Sequence, residues 1–112
     1  MVLRAKLDDP IMREAWVGDA VLHLWVREWA LAEGGPVDAD RVTRFVSNRF
    51  LSTVGQPDCV EAEIGRVYRE HGLQAAFDHI RARLLPVFER QEANRAHNGG
   101  RARTSPGKRS GR

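Results

Sequence analysis

The stretch EAWVGDAVLHLWVREWA, residues 14–30, decides the fold. Trp16, Val17, Ala20, Val21, Leu22, Leu24, Trp25, Val26 and Trp29 leave it little polar surface, and a helix that is apolar nearly all round belongs at the centre of a core. Pro10 suits a first helical turn, and Gly34, Gly35 and Pro36 stop the pattern, so a helix is predicted from Pro10 to Leu31 or Ala32. Two residues at its middle run against this reading. A glycine inside a helix costs about 1 kcal/mol relative to alanine. A carboxylate on an apolar helix needs a counter-charge, a metal or water. Gly18 therefore marks a place where another backbone comes close. Asp19 marks a place where a cation is met, whether Arg13, another arginine or a metal.

The flanking sequence also reads as helices, with no alternating strand pattern. A second helix begins near Asp38 or Asp40, either of which can cap it, and Val42, Phe45, Val46, Phe50 and Val54 recur at helical spacing until Gly55, Gln56 and Pro57 break it. A third runs from about Pro57 to Glu70 with Val60, Ile64, Val67 and Tyr68 on its apolar face. Gly72 makes a turn. Leu73, Ala76, Phe77, Ile80, Leu84 and Phe88 then line a further helix in which Pro86 gives a kink or a weak last turn. The expected fold class is all-α: one helical domain over residues 1–90.

Residues 91–112 hold six Arg or Lys against one acid, Glu92. This segment carries +5 against +3 for the whole chain, which leaves residues 1–90 at −2. It has almost no large apolar residue and much Gly and Ser, so it is expected to be a disordered basic tail suited to a polyanion such as RNA, or a plain solubilising tail. Asp19, His23, Arg27 and Glu28 interrupt the longest apolar run, so no membrane span is expected. Arg4, Lys6, Asp8 and Asp9 occupy the place of a signal-peptide core. Cys59 is the one cysteine of the chain, which excludes an internal disulfide and a cysteine-based zinc site. These features point to a cytoplasmic protein.

Asp58 and Glu61 are three residues apart and share a helix face. Metal chemistry on phosphates uses hard oxygen ligands of this kind. Gly65 lies one turn beyond Glu61, as Gly18 lies beside Asp19. If the two helices cross at these glycines, Asp19, Asp58 and Glu61 converge. The alternative is structural: acids in a first helical turn are favoured by the helix dipole. His23, one turn after Asp19, reads as a hydrogen-bonded structural residue and is left outside the site. On the second helix Arg41, Arg44 and Arg49 offer a basic flank for phosphate contact, or a solvated face.

These residues resemble the ribonuclease III domain. WVGDAVLHLWVRE, from Trp16, looks like the signature helix of that family, and DCVEAEIGRVYREHGLQAAFDHI, from Asp58, is similar to its second acidic segment. RVTRFVSNRFLSTV, between them, resembles the intervening helix. The likeness spans most of residues 10–88. It implies a ribonuclease III-like helical fold and a Mg²⁺-dependent endoribonuclease, with Mn²⁺ a possible substitute. Such an enzyme cleaves double-stranded or structured RNA as a homodimer in RNA processing, ribosomal RNA precursors included. Asp19, Asp58 and Glu61 match the family's metal-binding acids, Asp19 and Glu61 with the catalytic role. Trp16 matches an aromatic of the family's dimer interface; as a residue in an apolar helix it reads equally as core.

The chain departs from the family in three places. Ala15 stands where the family's first segment has a glutamate one turn before the aspartate. Glu14 is one residue away and points about 100° aside. The Mini-ribonuclease III branch also lacks that acid and, like this sequence, has no double-stranded-RNA-binding domain attached. The segment before Asp58 is shorter than in either branch, so the domain is shortened in the middle. Glu63 replaces an apolar residue. An RNA- or ribosome-binding module without catalysis is the second expectation, and a helical scaffold without an RNA role the third.

Overall fold

The computed structural model describes residues 9–104, with side chains over 9–98. It is mostly helical, and no strand occurs among the described residues. The helices are α1 (Pro10–Ala32), α2 (Ala39–Phe45), α3 (Asn48–Leu51), α4 (Pro57–His71), α5 (Leu73–Arg83) and α6 (Leu85–Thr104).

The starts of the helices follow from local chemistry. The Asp9 carboxylate accepts from the Ile11 N–H at 2.8 Å, which satisfies one of the free donors of the first turn of α1. Asp38 caps α2 through the Arg41 N–H at 3.0 Å, and Gln56 caps α4 through the Cys59 N–H at 2.9 Å. Gly72 ends α4 at φ +95°, a conformation that side-chain-bearing residues avoid, and α5 leaves at once in a new direction.

Two expected helices are each divided. Residues 38–54 do not form one helix, because Ser47 leaves the helical conformation and its hydroxyl accepts from the Phe50 N–H at 3.1 Å, starting α3 afresh. The same hydroxyl donates to the Arg44 carbonyl at 2.7 Å, closing α2. The helix expected through Phe88 breaks at Leu84. Pro86 neither kinks it nor weakens its end, but sits in the first turn of α6, where its missing N–H costs nothing.

The expected start of the disordered tail at residue 91 also shifts. α6 continues to Thr104, so residues 91–104 extend a helix, and of the expected tail residues 105–112 lie outside the described residues. Side chains of that extension are tied back to the domain. Gln91 Nε2 donates to Thr53 Oγ1 at 2.8 Å, and Glu92 receives both Arg44 Nε and Nη2, at 2.9 and 2.7 Å.

α1 lies at the centre, as its composition requires. It packs along α4, its most extensive partner, and against α5 and α2. Phe45 is fully buried between Trp25, Trp29, Phe50 and Phe88, with ring centroids 4.4–5.5 Å away. Leu22, Val26, Leu51, Ile64, Ile80 and Leu84 complete the core. No helix of the described residues is long and apolar enough to cross a membrane.

Candidate active site

The crossing of α1 and α4 is set by its two glycines. A Cβ on Gly18 would overlap the Glu61 carbonyl oxygen and lie 2.9 Å from the Gly65 nitrogen. A Cβ on Gly65 would overlap the Glu14 carbonyl oxygen and lie 3.0 Å from the Gly18 nitrogen. The contact is reciprocal and backbone to backbone, and the buried Ala15 and Ala62 keep the neighbouring turns small. The approach expected from Gly18 and Gly65 is thus present.

Its result is that Asp19 and Glu61 come within hydrogen-bonding reach of one another. Two carboxyl groups bond only through a proton, and burial decides which keeps it. Glu61 is 9% exposed, whereas the Asp19 side chain is 51% exposed. Removal from water, then the Asp19 hydrogen bond, and then the negative field of Asp19 and Asp58 push the Glu61 carboxyl up to about 8 from its ordinary 4.5. Burial and the neighbouring Asp19 charge thus favour the protonated form of the Glu61 carboxyl beside Asp19. Asp58, half-buried in the first turn of α4, shares the field of this pair.

All three expected acids thus sit in one electrostatic neighbourhood, with Asp19 and Glu61 in direct contact. As placed, no three carboxyl, imidazole or thiol groups among the described residues are gathered closely enough to enclose a metal ion. The donor chemistry fits Mg²⁺ nonetheless, since this ion is held by one or two carboxylates and keeps several waters.

His23, left outside the site by sequence reasoning, reaches Asp19 with Nε2 3.3 Å from Oδ1. Its spacing of four residues on one helix was the available signal. Glu14 lies 3.6 Å from Arg69. Ala15, at the position of the absent glutamate, is buried at 3% exposure. Glu63 lies at the edge of the core, within 3.9 Å of Arg66 and 3.7 Å of His79.

The three expected basic residues have different surroundings. Arg41 pairs with Glu33 at 2.7 Å and stacks over Trp29 at 4.2 Å. Arg44 is held by Glu92, whose carboxyl is in turn kept below the ordinary glutamate value by those hydrogen bonds. Arg49 is exposed and forms no ion pair among the described residues. Trp16 is 60% exposed, so it is not part of the core. Compared with protein-family models, with curated proteins and with solved structures, the chain shows no significant match.

Proposed function

We propose that this chain is a ribonuclease III-like, Mg²⁺-dependent endoribonuclease of the cytoplasm that hydrolyses phosphodiester bonds in double-stranded or structured RNA. The observation that supports the reading is the Asp19–Glu61 contact built by the Gly18–Gly65 crossing, with Asp58 in the same field. Asp19, Glu61 and Asp58 would hold the cation. Bound Mg²⁺, or Mn²⁺ in its place, supplies charge to the phosphate and acidity to a coordinated water. The chain's own residues do the rest. Glu61, once ionised, would accept a hydrogen bond from a water at the cation and so orient it. Asp19, open to solvent, faces the incoming phosphate. The accessible His23 beside it offers a donor to a phosphate oxygen.

Mg²⁺-dependent cleavage of a structured RNA duplex, absent in EDTA, is the expected result with purified protein. Asp19→Asn should lower it by about 100-fold or more, since even groups that only orient metal ligands contribute 10–100-fold. Equal RNA binding by both proteins with no cleavage by either would replace this reading with that of a binding module. The buried Ala15, where the resembling family has an acid, favours that second reading.

The same proposal includes a homodimer. Trp16, Ala20, Leu24 and Leu31 lie along one outward strip of α1, with Trp16, Leu24 and Leu31 at 60%, 43% and 64% exposure. A second copy covering this strip would present two acidic sites to one duplex, one for each strand. Trp16→Glu should leave the helical circular dichroism unchanged while shifting sedimentation from dimer to monomer. A wild-type protein that sediments as a monomer at assay concentration would count against the dimer.

A further inference from the structure

α6 and the α2–α3 segment enclose a groove of about 560 Å³ on the surface that carries Arg49. Its two walls are tied together by the Arg44–Glu92 pair and the Gln91–Thr53 hydrogen bond. Arg49 stands on one wall, and Asn94, Arg95 and Asn98 stand on the other. Glu92 is the one acid lining the groove, and Arg44 already occupies both of its oxygens. Arg49 and Arg95 form no ion pair within 4.0 Å among the described residues, Arg95 lies in the field of Glu92, and with Arg44 and Glu92 cancelling, the described lining keeps a net charge of two guanidinium groups.

The floor limits what kind of anion fits. Phe50 and Phe88 lie beneath it but are only 4% and 3% exposed, and they pack against each other and Phe45. No aromatic face is open, so bases have nothing to stack on. Guanidinium groups above a closed apolar floor instead suit phosphate oxygens. The carboxamides of Asn94 and Asn98 each offer both donor and acceptor, as a ribose 2′-hydroxyl requires.

We propose that this groove binds the sugar–phosphate backbone of RNA, with Arg49 and Arg95 each contacting a phosphate. The choice of RNA as the polyanion rests on the reading of the protein as an RNA enzyme; the groove itself is separate from the Asp19–Glu61 pair. The strand would run between α3 and α6, held by charge and sugar contacts without base readout.

The test is the salt dependence of binding of a fluorescein-labelled single-stranded RNA to the full chain in EDTA, where no cleavage intervenes. Arg49→Ala/Arg95→Ala should weaken binding about 10-fold or more at low salt. The slope of log K against log salt should fall by about 1.4, the loss of two phosphate contacts. Arg49→Lys/Arg95→Lys should keep the wild-type slope. DNA of the same sequence should bind more weakly. An unchanged slope in the alanine variant, an equal loss in the lysine variant, or equal affinity for DNA overturns the proposal. Failure of the nuclease reading is seen separately, as absence of Mg²⁺-dependent cleavage by a wild type that still shows this binding.

Discussion

Replacing Gly18 by alanine should destabilise the domain by at least about 3 kcal/mol, and replacing it by valine should leave no cooperatively folded protein. The added Cβ meets the Glu61 carbonyl and the Gly65 nitrogen, which are backbone atoms and cannot rotate away as a side-chain end would. The two helices must separate, and the separation opens the packing of Leu22 and Ile64, both fully buried. Overpacking ordinarily costs 1–3 kcal/mol, and contact with backbone belongs at the upper end or beyond. A domain of this size has roughly 5–15 kcal/mol in total. The expected loss corresponds to a fall in Tm of roughly 15 °C or more. Gly65→Ala should behave alike, because its Cβ meets Glu14 across the same contact. The double variant should lose less than the two single losses combined, since helices already parted by one methyl accommodate the second. Independent additive losses in thermal denaturation would contradict a shared crossing.

On the proposed nuclease reading Glu61→Gln should abolish cleavage, and in EDTA it should make the protein more stable than wild type above neutral pH. The folded-state carboxyl titrates near 8 instead of the ordinary 4.5, so between these values the folded protein binds a proton that the unfolded chain has released. The contribution of Glu61 is then fully present below about pH 4.5, falls as pH rises, and is gone above about 8. The shift corresponds to roughly 4–5 kcal/mol between the two limits. Glutamine keeps an N–H for Asp19 and has no proton to lose. Urea denaturation at pH 5 should therefore place the two proteins close together, and at pH 9 the variant should lead by several kcal/mol. Millimolar Mg²⁺ should recover part of the wild-type deficit and do nothing for the variant. Parallel stability curves from pH 5 to pH 9 would rule out a buried proton at this position.

Features set within one helix were legible before the structure. The helix of residues 10–32 was legible in its proline, its terminal glycines and its apolar breadth. The approach of α1 to α4 was legible because a glycine in a helix has a cost that only a close neighbour repays. The shared face of Asp58 and Glu61 followed from helical spacing alone. Features created by distant contacts were not legible. Residues 91–98 lack the apolar content to order themselves, yet a helix already started at Leu85 extends at one hydrogen bond per residue. Arg44 and Thr53, far away in sequence, anchor that extension. Composition cannot see such an anchor, and the same contact assigns Arg44 a structural partner in place of an open surface. Ser47 likewise reads as an ordinary polar residue within a helical pattern until its hydroxyl is seen to end one helix and begin another.

The glycine crossing also has a mechanical consequence. Because Gly18 and Gly65 meet backbone on backbone, α1 cannot roll about its axis or slide along α4 without driving main-chain atoms into each other. Asp19 adjoins one glycine, and Glu61 is one turn from the other, so the two carboxyl groups are mounted on a single rigid joint. Asp58 stands one turn further from the joint on the same helix as Glu61. The fold thus mounts Asp19 and Glu61 on one backbone-to-backbone crossing of two helices.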